Sequence, residues 1–200
     1  MNKPSIAAII VGINGWEEYT KPLMDSLFTH EPTVRQVVVD NASATPYPLL
    51  PEVWRTERLC YSAAINYGKS IVGDADWYIV LSNDVLCTAP FADILASYDG
   101  GDLVGPLMKD ELGFAYLEGW CVCVPAAAWQ PWDERFLGSD YEDVAYSTAA
   151  RQRGVGLVED RSLPFVHLDQ RQRYIVVDDF AGKNAHNRAL FLREYAAVTA

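Results

Sequence analysis

Positive charge is scarce in this chain. Lysines and arginines number 16 against 27 aspartates and glutamates, a net charge of −11. A surface of that sign repels nucleic-acid backbones and anionic lipid, so neither is an expected partner. The one place where a basic groove could form is late in the chain, where Arg151, Arg153, Arg161, Arg171 and Arg173 gather. Cysteine is sparse as well. Cys60, Cys87, Cys121 and Cys123 include no C-x-x-C pair, which speaks against a zinc site. They read as reduced, mostly buried thiols of a cytoplasmic protein, with Cys121 and Cys123 on one face of a strand. Long hydrophobic runs are missing: residues 6–11 and their neighbours fall far short of a bilayer's thickness, so no transmembrane segment is expected. The first residues (Met-Asn-Lys-Pro-Ser) enter a strand pattern directly, without the layout of a cleavable signal. No internal repeat, low-complexity tract or convincing linker interrupts the chain.

What is present is an ordinary globular composition, half hydrophobic, in 200 residues. That length makes one domain with a real core. The most informative stretch is Trp77-Tyr78-Ile79-Val80-Leu81-Ser82-Asn83-Asp84. A short apolar run that stops at polar residues reads as a strand buried on both faces of a parallel sheet. Ligands of such sheets sit beyond the carboxyl ends of the strands, where Asn83 and Asp84 fall. A carboxylate there can hold a divalent cation against a phosphate; it can equally cap a turn.

Other elements follow from periodicity. A strand is expected over residues 5–13, a helix over 17–29 and a strand over 34–39, which together make a βαβ unit. A weak strand over 55–60 precedes a helix over 62–72. After the strand at 77–82 come a helix over 90–98, strands over 103–107 and 114–124, and an aromatic-rich loop over 129–138. A helix over 140–153, short strands over 155–158 and 163–168, and a terminal helix over 184–197 complete an α/β pattern with a mixed second half.

Several residues carry candidate chemistry, each beside a plainer reading. Gly12 and Gly15 give G-x-x-G rather than G-x-G-x-x-G, so the dinucleotide fingerprint is absent. Asp40, ending the second strand, can take ribose hydroxyls or the edge of a base, or can close an Asx turn with Asn41-Ala42-Ser43. Ser139-x-x-Glu142 is a capping box, which gives Glu142 a structural role. Asp143 is then left over in the same first turn, either a surface acid favoured by the helix dipole or a general base near the sheet's ligand edge. His167 closes an apolar strand and is a packed histidine unless Asp84 joins it at a metal. Trp120, Trp129 and Trp132 suit core packing or stacking on a sugar face.

Taken in order, these pieces resemble the family 2 glycosyltransferases of GT-A fold, in particular their rhamnosyltransferase-like subgroup, over roughly residues 5–167. Ile9-Ile10-Val11-Gly12-Ile13-Asn14 is similar to the family's first strand with its terminal Asn, and Ser26-Leu27 to the Ser-Leu of its first helix. Val38-Val39-Asp40-Asn41-Ala42-Ser43 resembles the segment whose Asp meets the nucleotide base. Leu59 to Ala64, with Asn66 and Gly68, follows the N-x-G-F-a-x-x-x-N-x-G stretch, with Arg58 and Cys60 in place of its Asn and Gly. Leu81-Ser82-Asn83-Asp84-Val85 falls on the metal-binding D-x-D-like motif, with Ser82 in place of its first acid or amide. Asp133-Glu134-Arg135-Phe136, Tyr141-Glu142-Asp143 and Gly154 follow the D-E-R-F…Y-E-D…G run, with Ala145 and Ala149 where an Asp and an Arg are common.

The resemblance implies a single GT-A domain with a mostly parallel central sheet flanked by helices. About residues 1–84 would hold the nucleotide sugar, about 85–170 the acceptor and catalytic half, and about 171–200 a tail and helix. It implies a metal-dependent inverting glycosyltransferase taking a UDP- or dTDP-sugar. Asp143 would be the catalytic base, Asn14, Asp40, Asn66, Asn83 and Asp84 the donor contacts, and Asp84 with His167 the ligands of Mn²⁺ or Mg²⁺. Two alternatives stay open: a nucleotide-binding or nucleotidyl-transferring α/β domain, and a catalytically inactive relative that still binds sugar nucleotides.

Overall fold

The structure is a computed structural model that describes residues 3–168 and 179–196. Strand β1 (Ile6–Gly12) is buried along its whole length, as an Ile/Val/Ala run in the middle of a covered sheet must be. A wide turn, Trp16–Thr20, follows, in which the Thr20 amide reaches five residues back to the Gly15 carbonyl. It leads into α1 (Lys21–His30), and β2 (Arg35–Asn41) returns parallel to β1. β3 (Val53–Thr56) lies outside β2 and starts earlier than the expected 55–60 strand, because residues 57–60 are needed to enter α2 (Tyr61–Val72). β4 (Trp77–Ser82) pairs with β1 from the other side, also in parallel.

The second half is more broken than the periodicity suggests. After β5 (Val85–Cys87) the expected 90–98 helix is only the single turn α3 (Ala92–Leu95). Beyond Leu95 the backbone tightens into i→i−3 bonds, Ser97 to Ile94 and Tyr98 to Leu95, which do not propagate an α-helix. β6 (Leu103–Gly105) ends before β7 (Leu107–Lys109). The apolar run 114–124 is two strands, β8 (Ala115–Leu117) and β9 (Cys121–Pro125), divided by a turn in which the Cys121 amide donates to Glu118. The chain then runs through α4 (Glu142–Gln152), β10 (Leu157–Glu159), β11 (Phe165–His167) and α5 (Phe180–Glu194). Arg171, Arg173 and Ala197 lie outside the described residues.

Seven strands form the main sheet in the order β10-β6-β9-β4-β1-β2-β3. Neighbours are parallel except β9, which opposes both β4 and β6. The period-two alternation of side chains divides the core. Ile6, Ala8 and Ile10 face α1 and α3 with Leu23, Leu27 and Leu95, while Ala7, Ile9 and Val11 face α2 and α4 with Ile65, Tyr146 and Ala150. Each fully buried Leu or Ile contributes roughly 1.5–3 kcal/mol, so the two layers hold the sheet from both sides. Cys121 and Cys123 share the first of these faces, and all four cysteines are free thiols, three of them buried. Gly68 lets α2 lie close on the sheet, since a Cβ there would meet Ile9 Cγ2 at 2.5 Å. A third, smaller core joins α4 to α5 through Phe136, Val144, Ala145, Leu190 and Phe191. Among the described residues no helix is long and apolar enough to cross a membrane.

Candidate active site

The carboxyl ends of β1, β2 and β4 share one rim. Beyond Gly12, Asn41 and Ser82 opens a cleft of about 530 Å³, at the edge where open α/β sheets bind ligands. One wall is made by the turn after β4. Residues 83 and 84 reverse the chain into β5, which pairs antiparallel with β11 so that His167 stands opposite Val85. The Leu168 amide donates to the Asp84 carbonyl at 2.8 Å and closes this two-stranded clip. Its consequence is local: His167 Nε2 lies 3.2 Å from Asp84 Oδ1. Ser82 Oγ donates to the same carboxylate oxygen at 2.6 Å, and the Trp120 indole stacks on the imidazole with centroids 4.9 Å apart and planes 15° from parallel.

This pair suits a divalent cation by its chemistry and spacing. Adjacent ligands of an octahedral ion with bonds of about 2.1 Å sit about 3.0 Å apart, close to the observed separation. Among the described residues no third His, Cys, Asp or Glu completes a metal-binding group. An ion held by Asp84 and His167 would therefore take its remaining ligands from a phosphorylated substrate and water. The hydroxyl of Ser82, standing where the family has an acid or amide, orients Asp84 instead of competing for the ion.

The facing wall is the start of α4. Here the capping-box expectation is corrected. Tyr141 is the N-cap, in the left-handed region at φ 66°, with no side-chain cap bond, and Glu142 is the first helical residue. A capping box needs its Glu at the third helical position, two residues further on. Glu142 instead turns a buried carboxyl into the cleft, and its Oε2 has no hydrogen-bond partner. Asp143 faces the same cleft. Its Oδ2 accepts from the Gly119 amide at 3.0 Å and its Oδ1 from the Val144 amide at 2.8 Å. Protein surrounds Asp143 while part of its surface opens on the cleft, and that burial raises its pKa from 3.8 to about 6 against the pull of the two amides. Burial, and then the charge of Asp143, push Glu142 well above the ordinary carboxylate range. Both carboxyls are thus raised, by burial first and by their mutual repulsion, so that ionising one disfavours ionising the other.

The structure therefore brings Asn83, Asp84, Asp143 and His167 to one cleft. It takes the other three donor candidates elsewhere. Both carboxylate oxygens of Asp40 accept backbone amides, from Ser43 at 3.1 Å and Tyr47 at 2.8 Å, which is the turn-closing alternative. The Asn14 side chain accepts the Ala44 amide at 2.9 Å, with Asn14 itself left-handed at φ 57°. Asn66 staples α2 to the 132–134 loop, donating to Trp132 O and Glu134 Oε1 and accepting the Trp132 amide. None of the three lines the cleft. Asn83 does, though its amide donates inward to Asn14 O, Thr20 Oγ1 and the Tyr47 hydroxyl. On the side of β1 and α2 the cleft is lined instead by Gly12, Ile13, Arg58 and Leu59. Sequence reasoning missed Glu142 behind its capping pattern, although its place beside Asp143 was the available signal. It also missed Tyr61 and Gly119 in the lining, for which sequence carried no signal.

A seven-stranded, mostly parallel sheet with one reversed strand, a carboxylate turn after the strand beside β1, and a facing acidic helix start define the class: this is the α/β fold of GT-A glycosyltransferases. No protein-family model and no curated protein matches the sequence. Among solved structures the chain is similar to the mannosyltransferase PcManGT from Pyrobaculum calidifontis, in complex with GDP-Man and Mn²⁺, at TM-score 0.69 and 14% identity over 96% of this chain. GalNAc-T7 with UDP, GalNAc and Mn²⁺ superposes at TM-score 0.73 with 13% identity over 98% of it. The catalytic domain of Drosophila β1,4-galactosyltransferase 7, in complex with xylobiose, gives 0.60 and 16% over 92%. The chain spans 65%, 49% and 79% of those three chains respectively, and at such identities the likeness carries the fold alone.

Proposed function

We propose that this protein is a divalent-metal-dependent, inverting glycosyltransferase that moves a sugar from a nucleotide-diphosphate donor to an acceptor hydroxyl. The observation that carries the reading is the division of labour across one cleft: a carboxylate–imidazole pair 3.2 Å apart on one wall and a carboxyl raised to about 6 on the other. The neighbouring structures named for GDP-Man with Mn²⁺ and for UDP with Mn²⁺ support a nucleotide sugar and that ion as ligands here. The resemblance to rhamnosyltransferase-like enzymes makes UDP- and dTDP-sugars the first donors to test.

Asp84 and His167 would hold Mn²⁺ or Mg²⁺. When bound, the ion supplies charge neutralisation to a diphosphate leaving group. Arg58, Gly12 and Ile13 would line the nucleotide side, taking over the place first given to Asn14, Asp40 and Asn66. Asp143, ionised above about pH 6, accepts the proton of the acceptor hydroxyl as that oxygen attacks the anomeric carbon from the face opposite the diphosphate. The proton ends on Asp143, the new glycosidic bond forms as the old one breaks, and configuration inverts. Glu142, whose protonated form burial favours, can donate a hydrogen bond to the acceptor when it carries its proton.

The test is calorimetric titration of UDP, dTDP, GDP and CDP with and without Mn²⁺, on the wild type and Asp84→Ala. The reading requires one diphosphate whose binding needs both Mn²⁺ and Asp84. Binding that ignores the metal, in every nucleotide tried, would refute it.

A further inference from the structure

We propose that Tyr61 is a positioning residue for Asp143, acting through the two backbone groups of Gly119. This rests on Asp143 being the base of the reaction above, but the geometry stands without it. The Tyr61 hydroxyl donates to the Gly119 carbonyl at 3.0 Å, and the Gly119 amide donates to Asp143 Oδ2 at 3.0 Å. One residue's two backbone groups thus join a helix on the nucleotide side to a carboxylate on the acceptor side.

The donor end of this chain is fixed. Burial, followed by the charges of Glu142, Asp84 and Asp143, pushes the Tyr61 hydroxyl well above its ordinary pKa, so it stays a proton donor throughout the working range. Its ring meets Trp132 edge-on at 6.5 Å and 89°, and Trp132 stacks on Tyr146 of α4 at 4.2 Å and 13°. The Tyr61 amide donates to Gly138 at 2.9 Å, just before α4. Tyr61 is therefore braced against the same helix that carries Asp143. Gly119 has room for no side chain: a Cβ there would lie 3.3 Å from Asp143 Cβ and 3.4 Å from Oδ2. The turn between β8 and β9 is held on either side of Gly119 by the Glu118 amide on Pro106 O and the Ser82 amide on Trp120 O, and the Tyr61 hydroxyl is what holds the Gly119 carbonyl between them.

An amide N–H held on a carboxylate favours the ionised form. Releasing Gly119 should therefore weaken that bond and move the Asp143 titration upward. The ionisable groups around Asp143 are Asp140, Tyr141 and Glu142 on its own segment, Tyr61 and Arg58 on the α2 side, Asp84 and His167 across the cleft, and Lys109, Asp110, Glu111, Tyr116 and Glu118 on the β7–β8 side. Tyr61→Phe removes no charge from this set.

The test uses the full chain labelled with ¹³C at aspartate carboxyls and assigned with Asp143→Asn. In Tyr61→Phe the Asp143 midpoint should rise by about half a pH unit or more, and the acid limb of the pH–rate profile should move with it. An unchanged midpoint in a folded variant would overturn the proposal. Should the variant not fold, the wild type decides: the Gly119 amide shift must titrate with the Asp143 midpoint, and a Gly119 amide that ignores it overturns the relay. The carboxyl titration needs neither donor nor acceptor, so a failure of sugar transfer and a failure of the relay are separate results.

Discussion

Replacing Asp143 by asparagine should separate what the site costs the fold from what it does for the reaction. In the folded protein this carboxyl binds its proton more tightly than in the unfolded chain, with pKa about 6 against 3.8. Its contribution to stability is therefore greatest below about pH 4, falls as pH rises towards 6, and stays reduced above it. The full cost at pH 8 is about 3 kcal/mol, and about 1 kcal/mol of it is already present at pH 4.5. Asparagine removes the whole pH-dependent cost. It also loses one hydrogen bond, because the amide group replacing one oxygen faces a backbone N–H; relative to the protonated acid that is a constant loss of about 1–3 kcal/mol. The two effects nearly cancel at pH 8, whereas at pH 4.5 the variant should be the less stable protein. The quantity free of the uncancelled bond is the difference between the two pH values, about 2 kcal/mol, or roughly 4–8 °C in melting temperature for a chain of this size. Thermal unfolding of both proteins at pH 4.5 and 8 measures it. The same variant should keep Mn²⁺-dependent nucleotide binding and lose about 10²- to 10⁴-fold in transfer rate. Equal melting shifts at the two pH values would show that Asp143 is not a strained acid, and an intact transfer rate would show that it is not the base.

Other outcomes follow from the same geometry. His167→Ala should weaken Mn²⁺-dependent nucleotide-diphosphate binding at least tenfold by calorimetry, while His186→Ala, whose ring lies on the Arg135 carbonyl, should leave it unchanged. Asn66→Ala should lower stability by about 2–3 kcal/mol, since three loop-holding bonds go, with donor affinity unaltered in the same titration. Glu142→Gln removes an acid held protonated by burial and should raise the denaturation midpoint at pH 8 but not at pH 4. Transfer should hold the wild-type rate if a neutral hydrogen-bond donor is all the acceptor needs there.

Much of the fold was legible because its signal is local. The strand at 77–82 has the observed bounds, and β1, β2 and α2 fall within a residue or two of their expected places, while α1 begins four residues later than the expected 17–29 helix. Asp84 could be placed at the cleft because it sits where an apolar run stops, which is visible in one dimension, whereas Asp143 stood out only as the acid left over in the first turn of a helix. The misplacements have a common cause. Ser139-x-x-Glu142 has the composition of a cap, but whether a helix starts at 140 or 142 depends on Tyr141 taking a left-handed backbone under the third core. Asp40, Asn14 and Asn66 carry the right chemistry for a donor site, yet their oxygens and amides are claimed by backbone groups of loops that come near them only after folding.

The sequence by itself determined a two-faced α/β sheet and the carboxylates at its ligand edge, because alternation and run length act between neighbours in the chain. The tertiary structure alone decided that His167 meets Asp84, that Glu142 shares the cleft with Asp143, and that Asp143 titrates near 6. Those outcomes depend on the β5–β11 register and on how much protein surrounds each group. Register and burial are properties of segments distant in sequence, and they exist only once the chain has packed.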